Sequence, residues 1–462
     1  MSKTKIVKPF GMKDKVGYLF GDFGNDFTFL FSSMMLMKFY TDVIGVSAGI
    51  VGLIMTIARV VDAFTDITMG RICDRSKVTE NGKFKPWIRR MCIPVAFASF
   101  LIYQSALANA PMMVKIIYLF VTYILWGSVF YTSINIPYGS MASAISEEPD
   151  DRQSLSTFRT IGSTLANTVI GVILPLIAYK KVDGITTLIG TRVTISAGIC
   201  SVLAVICYLL CYNLVTERVT VQRTQLNQQC GIIEMFKRAL TNRALISIII
   251  ASIFMLLAQL TIQSMNGYVY PDYYNNAGAQ SVSNIIMMGA MLLSALLVKP
   301  LAKRFGKTEV SIVSSFISAG VNILLYFIRP ANVWVFVGFQ TISYLGLGMF
   351  TMVSWALITD VIDYSEIKNG VREDGTVYAL YSFARKIGQA CSAGLTGFML
   401  QIIGYSSVTK GNVAVQDGIF NITVLVPALG FILLAVVLWF WYPLHKKQVD
   451  ENVEILRKKH NN

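Results

Sequence analysis

Histidine is almost missing from this chain. The two present, His445 and His460, both fall near the C-terminus. Without imidazoles elsewhere, the body of the sequence has no His-based general base and no imidazole metal site. No nucleophile–base pair can be picked out either, which argues against a membrane-embedded enzyme. The seven cysteines offer no metal-ligand spacing. Cys73, Cys92, Cys200, Cys207, Cys211 and Cys391 lie in or beside apolar runs, Cys230 lies in a polar stretch, and only Cys207 and Cys211 share a helix face. They read as small apolar fillers. Charge is scarce too, at 14% of residues, against 54% hydrophobic residues and a mean hydropathy of +0.57. That balance excludes a soluble globular protein and specifies a polytopic membrane protein.

About twelve runs are long enough to span a bilayer as helices. They are centred on Gly17–Tyr40, Val46–Gly70, Arg90–Ala108, Met113–Ser140, Phe158–Ala178, Val193–Leu214, Ala244–Gly267, Ser281–Leu301, Val310–Ile328, Val333–Thr359, Tyr378–Ile403 and Phe420–Tyr442. The long polar, Gln-containing stretch after Thr216 divides them six and six. The expected layout is an all-α membrane protein: an N-terminal six-helix bundle over residues 1–215, a cytoplasmic middle loop over 216–242, a C-terminal bundle over 243–444 and a cytoplasmic tail over 445–462. Span two ends in Gly70-Arg71-Ile72-Cys73-Asp74-Arg75, and span eight ends in a weaker basic echo, Lys303-Arg304 to Lys307. Halves related as repeats would place a substrate site between them near the midplane.

The formal net charge of +14 resembles that of a nucleic-acid binder, but its distribution points elsewhere. Lys and Arg gather at the N-terminus, after span two, in the middle loop and in the tail, all on one side of a twelve-span arrangement. The positive-inside bias then sets both termini in the cytoplasm and predicts no nucleic-acid partner. The basic N-terminus lacks a cleavable signal pattern, so the first span is expected to anchor the mature protein.

Against this apolar background, Arg59-Val60-Val61-Asp62-Ala63-Phe64-Thr65-Asp66 stands out inside span two. A carboxylate at the centre of a spanning helix costs about 2.5–3.5 kcal/mol on insertion scales. Asp62 and Asp66 share a helix face at i and i+4 and repel. Both stay charged only with a proton, a basic side chain or a metal cation beside them. Arg59 is the expected intrahelical partner of Asp62. Lys386 in span eleven is an alternative partner, either structural or in competition with a cation. Span one carries a second pair, Asp22 and Asp26, span four has Trp126 and Asn135, and span five begins with Arg159. Asp26, Asn135 and Arg159 supply the donors and acceptors that a hydroxylated substrate needs, and Trp126 a ring to stack on it. Asp22 and Arg159 equally suit a gate ion pair. Asp360, Asp363, Glu366 and Arg372, near the end of span ten, read as a gate or loop ion-pair network.

Asp62-Ala63-Phe64-Thr65-Asp66-Ile67-Thr68-Met69-Gly70, followed by Gly82-Lys83-Phe84-Lys85-Pro86-Trp87, resembles the signature of the glycoside-pentoside-hexuronide:cation symporters, the melibiose permease-like branch of the major facilitator superfamily. Phe39-Tyr40-Thr41-Asp42-Val43, Asn135-Ile136-Pro137-Tyr138-Gly139-Ser140 and Asp360-Val361-Ile362-Asp363-Tyr364-Ser365-Glu366 extend the resemblance over essentially the whole chain. It implies the major facilitator fold in a bacterial cytoplasmic membrane and no cofactor. It also implies a monomeric symporter that imports a sugar by alternating access, coupled to Na⁺ or H⁺, with Li⁺ a third candidate. Matched residue by residue, Asp62, Asp66, Thr65 and Thr132 fall on the cation site, Asp26, Asn135, Arg159 and Trp126 on the sugar site, and Lys386 beside both. Two departures stand out. Asn135 replaces an aspartate and lies one residue further from Trp126-Gly127 than in the family pattern, and Thr65 replaces an asparagine that helps select Na⁺. The competing readings are a lysolipid:cation symporter of the same superfamily and a non-transporting sensor on a transporter scaffold.

Overall fold

The computed structural model describes residues 9–219, 242–369 and 374–460. The chain divides into two compact units, Met1–Asn227 and Gln228–Asn462. The first contains α1 (Met12–Phe39), α2 (Ala48–Arg75), α3 (Lys85–Ile102), α4 (Met112–Ile124), α5 (Thr132–Ile145), α6 (Pro149–Ala178) and α7 (Gly190–Leu214). A π-helical stretch, Leu125–Tyr131, joins α4 to α5 without a break. The second unit contains α8 (Arg243–Tyr268), α9 (Ala277–Phe305), α10 (Lys307–Ile328), α11 (Val333–Asn369), α12 (Asp374–Ile402), α13 (Val413–Val436) and α14 (Lys446–His460).

Among the described residues, ten helices are long and apolar enough to cross a membrane, counting α4 and α5 as one. α1 and α12 are equally long but fall outside that set. Each carries polar residues mid-helix, Asp22, Asn25 and Asp26 in α1 and Arg385 with Lys386 in α12. α2 shows how such a helix sorts its faces. Leu53, Ile57, Val60, Phe64 and Ile67 are exposed, one every three or four residues, whereas Val51, Ile54, Ala58, Asp62 and Met69 are buried. An exposed face of large apolar side chains suits lipid, and the acid stands on the opposite, protein-packed face.

Three elements differ from the sequence reading. α11 continues past Thr359 to Asn369, so Asp360, Asp363 and Glu366, read at the end of span ten, stand on one continuous helix. The tail forms α14, tied back where Lys446 N–H donates to Glu309 Oε1 at 3.0 Å and Thr308 Oγ1 donates to the Leu444 carbonyl at 2.8 Å. Between α6 and α7 lies a hairpin of β1 (Tyr179–Val182) and β2 (Ile185–Leu188), with Tyr179 opposite Leu188. Its Asp183-Gly184 turn has φ of 51° and 82°, the left-handed pair that matches strand twist in a two-residue turn.

The first helix of each unit ends in the same way. α1 runs into a π-helical Tyr40–Ile44, Gly45 turns left-handed at φ 80°, and Val46 N–H closes on the Tyr40 carbonyl at 2.9 Å. α8 runs into a π-helical Val269–Tyr273, Asn275 turns left-handed at φ 50°, and Asn276 N–H closes on the Tyr270 carbonyl at 2.8 Å. The displacement along the chain that carries Tyr40 onto Tyr270 carries Asp62 and Asp66 onto Leu292 and Leu296 of α9. Both leucines are exposed. The two units therefore share a backbone device while the paired acids belong to one of them. The glycines of Gly346-Leu347-Gly348 in α11 serve packing: added methyls would stand 2.4 Å from the Ser314 carbonyl oxygen of α10 and 2.6 Å from Ser294 Oγ of α9.

The Gly82–Trp87 loop has a structural explanation in the first unit. The backbone N–H groups of Lys83, Phe84 and Lys85, at the start of α3, donate to the Glu217 carboxylate at 2.6, 2.9 and 2.7 Å. Anions are favoured at a helix N-terminus, where such donors have no intrahelical partner. Trp87 Nε1 donates to Ser76 Oγ at 3.2 Å, which ties the loop to the end of α2. Arg218 forms two hydrogen bonds to Asp14, the shorter 2.8 Å. The chain leaving α7 is thus bound to α1 and α3. Gly82 is required here, because its φ is 104° and a methyl would stand 2.5 Å from Glu217 Cδ. Gly82→Ala is expected to cost about 1–3 kcal/mol through backbone strain and loss of this clasp. Gly320→Ala on α10, where nothing lies within 4 Å of the added methyl, is expected to be neutral or to gain up to about 1 kcal/mol. Thermal midpoints of the two variants in detergent check the contrast.

Candidate functional site

Two polar clusters occupy the interior of the first unit, and in each an i,i+4 pair on one helix faces an i,i+4 pair on another. The first lies between α2 and the π-helical junction of α4 and α5. Ser128 Oγ donates to Asp62 Oδ1, and Thr132 Oγ1 donates to Asp66 Oδ1 at 2.9 Å. The other Asp62 oxygen, Oδ2, stands 3.1 Å from Arg59 Nη1. Arg59 lies under Phe29 of α1, 5.1 Å from the ring centroid, and Phe29 stacks on Tyr131 at 5.7 Å. The π-helical turn takes up one residue more than an α-helical turn would. From this junction Ser128 reaches Asp62 and Thr132 reaches Asp66.

The second cluster joins α1, α5, α6 and α7. Arg159 Nε donates to Asp22 Oδ1 at 2.9 Å, and Ser163 Oγ donates to Asp26 Oδ2. The helices approach this closely because Gly162 lies between Arg159 and Ser163: a methyl there would stand 2.5 Å from the Leu19 carbonyl oxygen. The Arg159 guanidinium covers the Tyr138 ring at 5.3 Å. Tyr138 stacks on Tyr18 at 4.6 Å and donates to the Tyr18 carbonyl at 2.6 Å. Deeper in the unit, Tyr208 O–H of α7 donates to Asn25 Oδ1 at 2.8 Å. Asn25 Nδ2 in turn donates to Asn135 Oδ1 at 3.4 Å.

Asp62, Asp66 and Thr132 come together, as do Asp22, Asp26, Arg159 and Asn135. Thr65, assigned to the cation site by resemblance, instead turns along its own helix, its hydroxyl donating to the Asp62 carbonyl at 3.2 Å. Trp126, assigned as a stacking platform, is only 1% exposed. It is enclosed by Tyr123 and Tyr131, with ring centroids at 5.6 and 5.7 Å, and its Nε1 has no hydrogen-bond partner. In the second unit, Lys307 Nζ lies 2.5 Å from Asp360 Oδ1. Asp363 and Glu366 follow on the same helix, with Glu366 buried. Lys386 lies on α12, and Arg372 falls outside the described residues. Among the described residues, no group of three or more His, Cys, Asp or Glu side chains is placed to hold a metal ion.

Ser128, Ser163, Asn25 and Tyr208 were not foreseen as site residues. A signal existed for the serines: Ser128 with Thr132 and Arg159 with Ser163 repeat the i,i+4 spacing of the acids they meet. Chemically, the first cluster offers two carboxylates and two hydroxyls, hard oxygens that suit a small monovalent cation or a proton. The second offers two carboxylates, two amides and a guanidinium, which suit a polyhydroxylated molecule.

The family profile for MFS/sugar transport proteins matches residues 17–446. An uncharacterized symporter, YjmB, of Bacillus subtilis strain 168 is 32% identical over 99% of this chain and 97% of its own length. A glucuronide carrier protein homolog of Escherichia coli K12 is 30% identical over 95% of this chain and 94% of its own. Among solved structures, a D-xylose-proton symporter superposes with a TM-score of 0.67 at 13% identity, covering 93% of this chain and 97% of that one, a likeness of fold.

Removing one partner of a buried pair leaves the other charge uncompensated, at about 3–5 kcal/mol. Arg59 and Asp62 are 12% and 6% exposed, so Asp62→Leu is expected to lose about that much stability. The double variant Arg59→Met, Asp62→Leu should recover most of it. A double-mutant cycle on thermal unfolding in detergent measures the coupling, and additive losses would show that the pair holds nothing together.

Proposed function

Because the chain belongs to the MFS/sugar transport family of multi-pass plasma-membrane transporters, matched over residues 17–446, we propose that this sugar symporter imports a glycoside, pentoside or hexuronide with Na⁺ or H⁺ as the coupling ion. The observation that carries the proposal is the pairing of Asp62 and Asp66 with Ser128 and Thr132 across two helices. Two acids within a membrane-spanning helix, one of them, Asp62, buried, are rare unless they serve an ion pathway. Arg59 pairs with Asp62, and a coupling ion would bind where the two carboxylates and the Ser128 and Thr132 hydroxyls meet. A relative named as a symporter and another named as a glucuronide carrier homolog fit this reading. The Asp26 carboxyl and the Arg159 guanidinium, which covers the Tyr138 ring, favour a sugar over a lysolipid, whose chain needs an apolar pocket.

In this reading the ion enters at Asp66 and Asp62 and the sugar hydroxyls are held at Asp26. Both partners bind one unit, so if ion tightens sugar, sugar tightens ion by the same factor. Proteoliposomes of the full chain, given a panel of labelled glycosides under an imposed Na⁺ or pH gradient, should accumulate one of them uphill under one gradient. Asp66→Ala should abolish uphill accumulation while leaving downhill equilibration measurable. Undiminished uphill uptake by the Asp62→Ala, Asp66→Ala variant would remove the acids from the coupling site.

A further inference from the structure

The hydrogen-bond chain from α7 to α5 has a direction. Tyr208 is only 1% exposed and its hydroxyl donates to Asn25 Oδ1. That hydroxyl must donate somewhere, since an orphaned buried donor is costly. Once the Asn25 carbonyl oxygen is committed to Tyr208, the Asn25 amide nitrogen turns to Asn135 and donates to its Oδ1. Asn135 is thereby left with its NH₂ group to offer and its oxygen engaged. A residue that could present either end of its amide is fixed as a donor by a phenol on another helix.

The donors nearest along α5 point to the same chemistry. Tyr138 lies one turn after Asn135, at i+3 on the same face, and the Arg159 guanidinium covers it. Arg159 meets Asp22 through Nε, and its side chain remains 41% exposed, so a substrate oxygen can reach the guanidinium. An amide NH₂ one turn from the ring that a guanidinium covers matches oxygens that accept only, above all a carboxylate, where both bonds are charge-assisted. Asp26 stands on α1, with one oxygen held by Ser163, and suits sugar hydroxyls.

We propose that Tyr208, acting through Asn25, is a positioning residue that fixes Asn135 as a hydrogen-bond donor, and that Asn135 with Arg159 selects a sugar bearing a carboxylate, a hexuronide, over its neutral counterpart. This rests on the sugar-symport reading above and narrows its substrate.

The test is competition between phenyl β-D-glucuronide and phenyl β-D-glucoside for uptake into proteoliposomes of the full chain. The parent should prefer the glucuronide by about tenfold or more, the advantage of one charge-assisted bond over a neutral one. Tyr208→Phe keeps the ring and removes the hydroxyl, and should lower that ratio several-fold. Asn25→Asp keeps the shape but can only accept from Asn135, which would turn the Asn135 oxygen toward the substrate and bring the ratio to unity or below. A purely structural role for Tyr208 would lower both uptakes together and leave the ratio unchanged, and that result overturns the proposal. So does a parent that prefers the glucoside. Failure of the sugar reading looks different: the parent takes up no member of a wider panel of neutral and acidic sugars, and the proposal falls with it.

Discussion

A charge inside an apolar helix bundle needs compensation from within the bundle, and this constraint organises the first unit. Asp62 is met by a guanidinium on its own helix and by a hydroxyl from α4–α5. Asp22 is met by a guanidinium from α6, and Asp26 by a hydroxyl from the same helix. Each acid pair is spaced so that both members reach one neighbouring helix, and each neighbour answers at the same spacing. Equal spacing in equal order requires the two helices to run in the same direction, which an up-and-down membrane bundle provides for its first and fifth spans and for its second and fourth. The acids therefore fix register as well as carry charge. Slipping either helix by one residue would turn a partner away from its acid and leave a buried charge uncovered.

Much of this was legible in the sequence, and the reasons for the rest are physical. The spans follow from hydropathy, because a bilayer demands about 20 apolar residues of each helix. The acids followed from their incongruity inside such runs. Ser128 and Ser163 did not stand out, since a serine in a membrane helix usually bonds back to its own carbonyls. Ser294, with one bond to Ala290 at 2.9 Å, behaves partly in this way. Only the register of two distant segments distinguishes a serine that meets an acid from one that does not. Thr65 shows the converse: family resemblance put it among the ion ligands, and its hydroxyl donates to the backbone of its own helix. Trp126 carried a similar risk, because aromatic residues serve packing as often as recognition. The α6–α7 hairpin was signalled by Asp183-Gly184 but masked by the apolar runs on either side. Glu217 was invisible because its partners are main-chain donors, which no side-chain pattern reports.

The π-helical junction gives the two clusters a common support. Ser128 and Thr132 reach the acids of α2, while Asn135 and Tyr138, further along the same unbroken helix, face Asn25, Tyr18 and Arg159. Thr132 and Asn135 are one turn apart. Between them and the ion pair on α2, Phe29 of α1 lies against both the Arg59 guanidinium and the Tyr131 ring.

A helix in this position transmits displacement without any additional pathway. If, as proposed, an ion at Asp66 draws the Thr132 hydroxyl from carboxylate to cation, the movement is applied one turn from the Asn135 amide. A π-helical turn is the compliant place in such a helix, because its i→i+5 bonds are less favourable than the α-helical ones on either side. The proposed coupling would therefore require no contact between ion and sugar. It requires that α4–α5 have two arrangements of nearly equal energy and that each ligand favour the same one. The π-helical turn, Leu125–Tyr131, directly precedes Thr132 and Asn135 on a helix that reaches both clusters.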